Sequence, residues 1–350
     1  MLLLDYPKLV FEPAALVRRE KTGRAAPKLI EISPVNRCNH RCVFCCFDWL
    51  KRTPMQLDAG LVAGTLRDAS AIGRRAGLRS QAVFFSGEGE PLLHPDIVAM
   101  TCTAGKLGFA CAVNTNGVRL AGDALGVIDA SQYIRISMNG VDARDYARVH
   151  RARKEDFGLV LSNLAKSVRY RDKANPDCNL NVQFIYTGQP VAKFAGFIRR
   201  VAATGIDLLT VKGAYQHPLM RFRIGKLREG HDALVEAARA WTGRMQVSMR
   251  MPGFEWHGRA YAECFGPEWF VEIAADGDCY PCGPYVGVKK YAFGNINRAP
   301  FGKIWWSPAH RRILRECRRM AGPCQEMCRL DITNRYLYRL YNTRKEDGFL

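Results

Sequence analysis

The sequence contains no apolar run that approaches the ~20 residues of a membrane-spanning helix. It also lacks a signal peptide, because Asp5, Pro7 and Lys8 interrupt the first apolar residues and no small-residue cleavage site follows. Low-complexity tracts and internal repeats are absent as well. Together these absences predict a cytoplasmic globular protein that has no membrane partner.

Acidic residues are scarce: 33 Asp and Glu stand against 52 Lys and Arg, which gives a formal net charge of +19. Such an excess favours an anionic substrate or an acidic electron donor of the flavodoxin or ferredoxin type. No nucleic-acid-binding motif stands out, so we expect no specific nucleic acid partner. A solvated basic surface is the ordinary alternative for any single arginine.

Cysteine, by contrast, is abundant, with 13 residues. A cytosolic chain is not expected to hold a disulfide framework, and most of these cysteines fall within 38–46 and 264–328. Both groups therefore favour metal binding, with zinc sites or buried thiols as alternatives. The remaining three are interpreted as small buried apolar residues, namely Cys102, Cys111 and Cys178.

The first group follows an apolar run: three residues separate Cys38 from Cys42, and two separate Cys42 from Cys45. Three thiolates leave one iron of a cubane cluster without a protein ligand, whereas a cluster that only carries electrons normally has four. With the aromatic Phe44 before the last cysteine, the motif resembles that of radical S-adenosylmethionine (SAM) enzymes. That resemblance implies that SAM chelates the open iron of a 4Fe–4S cluster. Reductive cleavage would then give a 5'-deoxyadenosyl radical that takes hydrogen from the substrate.

Further motifs resemble those with which the family binds SAM. Gly89-Glu90-Pro91 matches the end of its GGEP motif, although Glu88 stands where a glycine is usual. Some relatives also carry a SAM-contacting arginine, for which Arg148 and Arg151 both qualify. The resemblance implies these SAM contacts: Phe44, Gly87, Glu88, Gly89, Glu90, Asn116, Ser137, Arg148 and Arg151.

Strand and helix patterns alternate six times by residue ~245, which predicts a parallel sheet. The resemblance implies that this sheet is a partial (β/α)6 TIM-like barrel, and every motif above falls at a carboxyl end of a strand. We expect an N-terminal arm over 1–27 that exposes Arg19, the barrel over 28–250, and a small C-terminal α+β domain over 251–350. Later strand ends supply candidate substrate contacts, which are Gln183, Tyr186, Lys212, Tyr215 and His217.

In the second cysteine group, twelve residues separate Cys264 from Gly277, and four separate Gly277 from Cys282. This spacing resembles the opening of the SPASM auxiliary-cluster domain. Met320 departs from its later cysteine pattern, and the resemblance is closer to the shortened twitch variant with one auxiliary 4Fe–4S cluster. A four-thiolate zinc ribbon is the alternative. The implied ligands are Cys264, Cys282, Cys324 and Cys328, with Cys279 and Cys317 in reserve as ligands or hydrogen donors.

These features favour an enzyme that acts on a small polar metabolite such as a sugar, an aminocyclitol or a nucleoside-like compound. Few residues precede the first cysteine, so no separate peptide-recognition domain is expected. Dehydrogenation, epimerisation, elimination or decarboxylation would each follow from hydrogen abstraction. One alternative is a maturase of a ribosomally made peptide, and another is a non-catalytic protein that binds zinc or nucleic acid.

Overall fold

The computed structural model describes residues 7–47, 50, 53–214, 216–217, 220, 223, 227–250, 258–320, 324 and 328–342. Its described strands form one mixed sheet in the order β10-β9-β8-β1-β2-β3-β4-β5-β6-β7. Their bounds are β1 Leu29–Ile32, β2 Gln81–Phe85, β3 Phe109–Thr115, β4 Ser131–Ser137, β5 Asn179–Tyr186, β6 Leu208–Gly213, β7 Gln246–Arg250, β8 Phe270–Ile273, β9 Asp278–Tyr280 and β10 Gly294–Asn295.

The parallel part of the sheet extends from β8 through β1 to β7, and the β8-β9-β10 meander is antiparallel. The predicted partial barrel is confirmed, with β7 as one further parallel strand after the six expected. Because β8 pairs with β1, the C-terminal region continues the sheet of the barrel.

The described α-helices lie between and after these strands. They are α1 Pro13–Thr22, α2 Ala59–Ala76, α3 Ile97–Lys106, α4 Ala143–His150, α5 Glu155–Ala174, α6 Phe194–Ala202, α7 Arg228–Arg239, α8 Phe301–Trp305, α9 Pro308–Arg318 and α10 Asp331–Tyr341. A 3-10 helix over Gly122–Ile128 takes the place of an α-helix between β3 and β4. Among the described helices, none combines the length and the hydropathy needed to cross a bilayer.

Strand β1 shows how the sequence pattern divides the two faces of the sheet. Ile30 and Ile32 are buried in the hydrophobic core. Side chains alternate along a strand, so Glu31 between them faces the opposite side, the interior of the barrel. The same alternation places β5 residues Asn181 and Gln183 inside, because Phe184 packs against the rings of α6.

Helix α2 is capped at both ends. The Asp58 carboxylate accepts a hydrogen bond from the Leu61 backbone N–H at 2.8 Å. At the other end Gly77 has a φ of 80°. This left-handed conformation is readily available to glycine.

The helical segment that follows β4 is divided into two helices, α4 and α5. They are separated at Arg151, which caps α4 with a φ of 46°. The break frees the carbonyls of Val149 and His150 from the helical pattern. Both carbonyls accept hydrogen bonds from the cysteine loop.

The N-terminal segment is less exposed than predicted. Helix α1 packs beside α2, where Ala14 lies against Gly77. Arg19, expected at the surface, is paired with Glu268 at 2.8 Å and lies 3.8 Å from the centre of the Tyr341 ring. This segment therefore connects the barrel helices to the C-terminal region.

Candidate active site

The cysteine loop, residues 33–47, follows the carboxyl end of β1 and is fixed to the end of α4. The backbone N–H of Arg41 donates to the His150 carbonyl at 3.0 Å, and that of Val43 donates to the Val149 carbonyl at 2.9 Å. These bonds position the loop by backbone groups, which leaves its cysteine side chains available as ligands.

The three thiols of this loop differ in exposure. Cys38 is exposed, whereas Cys42 and Cys45 are half-buried. Burial of its sulfur raises the pKa of Cys38 to about 11, although the His40 backbone N–H donates to that sulfur at 3.4 Å. Metal ligation requires the thiolate, so iron must displace these protons. Three thiols on one partly open loop fit a cluster with one accessible iron.

His150 is a contact of Cys42 that the sequence did not reveal. Its Nδ1 lies 3.2 Å from the Cys42 Sγ, and its Nε2 accepts a hydrogen bond from the Asn139 backbone N–H at 3.0 Å. The imidazole stacks on the Tyr146 ring, with 4.2 Å between the centroids. Burial, and to a smaller extent His40, lowers the pKa of His150 well below its ordinary value.

Glu90 connects the ends of β2 and β3. Its carboxylate accepts hydrogen bonds from the Thr115 hydroxyl at 2.6 Å, the Asn116 backbone N–H at 2.7 Å and the Leu92 backbone N–H at 3.1 Å. Burial outweighs these donors and raises the pKa of Glu90 to about 7. A cation bound nearby would favour the charged form.

Two glycines let the loop after β2 lie against the cysteine loop. Gly87 has a φ of 100°, and a Cβ there would meet the Ser33 hydroxyl oxygen at 1.9 Å. A Cβ on Gly89 would lie 2.4 Å from the carbonyl oxygens of Val35 and Arg37. Side chains at either position would therefore force the two loops apart.

Glu88, which replaces the usual glycine of the resembled motif, has a structural contact of its own. Its carboxylate accepts a hydrogen bond from the Ala275 backbone N–H at 2.8 Å. Ala275 belongs to the turn between β8 and β9. The side chain thus connects the predicted SAM site to the C-terminal region.

The other predicted SAM contacts lie around the same edge of the sheet. Asn116 donates through Nδ2 to the Asn39 side-chain oxygen at 2.7 Å, which connects β3 to the cysteine loop. Ser137 ends β4. The Phe44 ring is edge-on to His150 at 6.4 Å.

The two candidate arginines differ in their surroundings. Arg148 is paired with Asp145 of the same helix at 2.6 Å. Arg151 is exposed and follows His150 directly. Arg151 is thus the sequence neighbour of the residue that contacts Cys42, whereas Arg148 is paired with Asp145 along α4.

The predicted auxiliary ligands are close enough to influence one another's charge. Burial raises the pKa of Cys282, and Cys328 raises it further. Burial likewise raises the pKa of Cys264, followed by the effects of Cys328 and Cys324. The Arg259 guanidinium donates to the Cys324 Sγ at 3.4 Å. Four thiols that interact in this way fit one thiolate-ligated cluster.

The two cysteines held in reserve, Cys279 and Cys317, lie in different parts of the structure. Cys317 lies beside this thiol group: burial, with an addition from Cys324, raises its pKa to about 12. Cys279 is buried on β9, where burial and then Asp278 raise the pKa of its thiol. Cys317 is therefore the reserve cysteine that lies next to the predicted auxiliary ligands.

A cluster of charged side chains inside the barrel, formed by Glu31, Glu272 and Arg329, was not predicted from the sequence. Glu31 of β1 and Glu272 of β8 are register partners, and both are buried. Arg329, the residue after Cys328, is hydrogen-bonded to Glu31 and lies 3.9 Å from Glu272. The Ser86 hydroxyl also donates to Glu31. Acidic residues in apolar strands were the only sequence signal for this pair.

Positive side chains lie on the later strands. Lys212 of β6 and Arg250 of β7 are register partners. Burial, followed by the charges of Arg135, Arg329 and Arg250, lowers the pKa of Lys212 to about 7. Three arginines therefore disfavour the charged form of Lys212, which was among the predicted substrate contacts.

The remaining predicted substrate contacts have different positions. Gln183 is buried and is the register partner of Ser137. Tyr186 does not face the interior: a Cβ on Gly230 of α7 would meet its hydroxyl at 2.0 Å, so the ring points to the outer helices. His217 is buried, and burial lowers its pKa. Tyr215 lies outside the described residues.

Comparison with known proteins supports what the site suggests. The family model described as the radical SAM superfamily matches residues 32–181, and SPASM, an iron-sulfur cluster-binding domain, matches 264–330. A PqqA peptide cyclase of Methylorubrum populi is 33% identical over 307 residues, which cover 83% of this chain and 74% of that protein. The chain belongs to the radical SAM superfamily and carries a C-terminal SPASM domain.

Two further proteins resemble this radical SAM enzyme over most of its length. A protein of Pyrococcus furiosus that modifies the cofactor of a tungsten-containing aldehyde ferredoxin oxidoreductase is 22% identical, over 80% of this chain and 81% of that protein. The crystal structure of Streptococcus suis SuiB bound to its precursor peptide SuiA matches with a TM-score of 0.65 and 15% identity. The match covers 86% of this chain and 70% of SuiB, and it shows the shared fold.

Membership confirms that the enzyme uses SAM and 4Fe–4S clusters, among them an auxiliary cluster in the SPASM region. The two thiol groups described above fit these cofactors. Relatives include proteins named for peptides and a protein named for a cofactor, so the family fixes the initiating chemistry and leaves the substrate class to be proposed.

Proposed function

We propose that this radical SAM enzyme modifies a ribosomally made peptide. The observation that carries the proposal is the 33% identity over 307 residues with a PqqA peptide cyclase. Several further peptide cyclases of this name are 22–23% identical over 83–86% of the chain. These relatives favour the peptide alternative over the small polar metabolite that the sequence first suggested.

In this proposal Cys38, Cys42 and Cys45 hold the SAM-binding cluster. A reduced 4Fe–4S cluster held by these thiols would supply the electron for the reductive cleavage of SAM. The chain's own task is to hold SAM and one substrate C–H bond close together, because rate and selectivity depend on that geometry.

Glu90 is the residue we assign to the SAM ammonium group. Its carboxylate is held by three donors at the strand ends, and it is buried, so a nearby cation favours its ionised form. Gly87 and Gly89 allow the loop backbone to approach a ligand closely. Ser137 and Arg151 are assigned to the remaining polar groups of SAM. Glu88 acts indirectly, by positioning this loop on Ala275.

The barrel interior supports a substrate with an anionic group. Lys212 and Arg250 are directly opposite in neighbouring strands, an arrangement that like charges disfavour. A carboxylate between the strands would relieve that repulsion. We therefore assign Lys212, with Arg135 nearby, to an acidic side chain or the terminal carboxylate of the peptide.

Cys264, Cys282, Cys324 and Cys328 are assigned to a single auxiliary cluster, because Cys328 raises the pKa of both Cys264 and Cys282, and Cys324 raises that of Cys264. Cys317, which also raises the pKa of Cys264, stays in reserve as a ligand. An auxiliary cluster near the substrate is suited to accept an electron after hydrogen abstraction. The net charge of +19 suits an acidic flavodoxin or ferredoxin as the external electron donor.

The experiment uses anaerobically reconstituted enzyme with reductant and SAM. Short peptides encoded beside its gene, small anionic metabolites and no substrate form three arms. Peptide modification predicts 5'-deoxyadenosine and a mass change in a peptide, with deuterium transfer from a peptide labelled at the reacting carbon. Deuterium transfer from a metabolite, with every peptide unchanged, would overturn the proposal and restore the small-molecule function.

A Lys212→Met variant then tests the anionic contact. The KM of this variant for the peptide substrate should rise, while its formation of 5'-deoxyadenosine without substrate stays at the level of the wild-type enzyme. Replacing the Asp and Glu residues of the peptide by Asn and Gln should raise the KM of the wild-type enzyme. The same replacement should hardly change the KM of the Lys212→Met variant. Equal effects of the amides on both enzymes would contradict the assignment.

A further inference from the structure

The contacts of His150 assign its proton. A backbone N–H can only donate, so the Nε2 that receives the Asn139 N–H at 3.0 Å must present its lone pair. A neutral imidazole carries one proton, which then resides on Nδ1. That nitrogen lies 3.2 Å from the Cys42 Sγ. The hydrogen bond therefore runs from His150 to the sulfur.

The position of this proton also excludes a metal ion bound by His150. His40, Cys42 and His150 place potential metal-binding atoms within 4.8 Å of one another. A metal bound at His150 Nδ1 would need the lone pair of that nitrogen, which already bears the proton because Nε2 is an acceptor. His150 is thus a donor to sulfur and not a ligand.

The surroundings hold the ring in this orientation. Its face stacks on Tyr146 at 4.2 Å, and His40 lies edge-on at 5.2 Å. His150 is fully buried, and its carbonyl accepts from Arg41 of the cysteine loop. The imidazole and the loop that carries Cys42 are therefore fixed to each other by both main chain and side chain.

We propose that His150 is a positioning residue that raises the reduction potential of the SAM-binding cluster by donating a hydrogen bond from Nδ1 to the Cys42 sulfur. Reduction adds negative charge to the cluster and its thiolates. An N–H directed at a thiolate stabilises that added charge, and hydrogen bonds to the sulfurs are among the features that set the potential. Electron entry from the donor becomes easier.

The decisive test is the cluster's midpoint potential, measured by a redox titration followed by electron paramagnetic resonance. A triple variant that lacks Cys264, Cys282 and Cys324 isolates the signal of the SAM-binding cluster. In that background His150→Phe keeps an aromatic ring but removes the donor. We expect the ratio of reduced to oxidised cluster at a fixed potential to fall about tenfold, equivalent to about 59 mV for one electron.

Two variants serve as controls. Tyr146→Phe keeps the stacked ring and removes only a hydroxyl that has no hydrogen-bond partner among the described residues, so its potential should match the parent. His150→Asn retains an N–H near the position of Nδ1 and should recover part of the shift. Equal potentials for His150→Phe and the parent, or an equal fall in Tyr146→Phe, would overturn the proposal.

A second measurement needs no variant at His150. Pulsed electron paramagnetic resonance on enzyme labelled with nitrogen-15 histidine should detect a weakly coupled histidine nitrogen at the reduced cluster, together with an exchangeable proton. Absence of both signals would overturn the assignment even if the His150 variants fail to fold. The assignment would also be overturned if the enzyme bound one zinc ion per chain beside the intact cluster and lost that zinc in the His150→Phe variant.

Discussion

The two cysteine groups of this radical SAM enzyme differ in how the protein holds them. Cys38, Cys42 and Cys45 lie on a loop that is exposed or half-buried and is anchored by backbone bonds to α4. The SPASM thiols come from segments before, within and after the β8-β9-β10 meander, and of them Cys282 is buried whereas Cys264, Cys324 and Cys328 are half-buried. The first group thus lies on one short loop with an exposed member, Cys38, which suits a cluster that must admit SAM, whereas the second is assembled from distant segments of the chain.

The largest expected effect separates the two groups by function. Cys42→Ala should abolish SAM cleavage and remove one cluster, about four irons. Cys282→Ala should lose a similar amount of iron but still form 5'-deoxyadenosine without product. Iron analysis and chromatography of the reaction mixture check both outcomes. Cys102→Ala, outside both groups, is the control, and SAM cleavage by Cys42→Ala would refute the comparison.

Arg329 tests how firmly the SPASM region is connected to the barrel. Arg329→Ala leaves Glu31 and Glu272 facing each other without the guanidinium, and their side chains are only 6% and 2% exposed. We expect a loss of about 3 kcal/mol in the free energy of unfolding, the low end for a broken buried pair because Arg329 itself is partly exposed.

The control for this substitution is Arg335→Ala, which breaks the Arg335–Asp331 pair on α10. Such surface pairs contribute about 0.2–1 kcal/mol. Denaturant unfolding of both variants gives the comparison. Similar losses for the two arginines would show that the connection between the regions does not depend on the buried carboxylates.

Gly89 tests the close approach that shapes the open site. Gly89→Ala would place a Cβ 2.4 Å from two carbonyl oxygens of the cysteine loop, so we expect a loss of about 1–3 kcal/mol in stability together with weaker SAM binding. Gly158→Ala is the matched control. It lies in α5 with nothing within 4 Å of the added Cβ, and should stabilise the protein by up to about 1 kcal/mol. Thermal unfolding that ranks the two variants in the reverse order would contradict the geometry.

The smallest effect is the pH dependence of SAM binding. Burial raises the pKa of Glu90 to about 7, so its carboxyl becomes neutral as the pH falls below 7. A neutral carboxyl attracts the SAM ammonium less, and the Kd for SAM should rise by up to about tenfold per pH unit below that point. Isothermal titration from pH 5.5 to 8.5 measures it. Glu90→Gln should bind SAM weakly at every pH, and a variant with the same pH profile as the parent would assign the titration elsewhere.

Glu90 also affects folding, with the opposite trend. Its folded-state pKa is above the ordinary value of 4.5, so the native state binds more protons than the unfolded state between about 4.5 and 7. Without SAM, its contribution to stability therefore falls as the pH rises through that window. Denaturation of the apoprotein at several pH values separates this effect from SAM binding.

Much of the site was predictable because its motifs are local. The cysteine spacing, Gly89-Glu90-Pro91 and Asn116 each lie at a strand end, and a parallel sheet brings such ends together. The helix break at Arg151 was not predictable, because its benefit lies in the carbonyls it frees for the cysteine loop. The orientation of Tyr186 did not follow from its position at a strand end: it lies on the same face of β5 as Phe184, which packs against the outer helices.

The sequence by itself determined the family, the cofactors and the alternation of the first six strands with helices, since thiol spacing and side-chain periodicity depend on residues close together in the chain. Only the tertiary structure decided which groups surround those residues. Cys42 meets a histidine 108 positions away, and Glu31 meets an arginine 298 positions away. No local pattern encodes such pairs, because they arise when separate strands and helices pack and every buried charge or donor must find a partner.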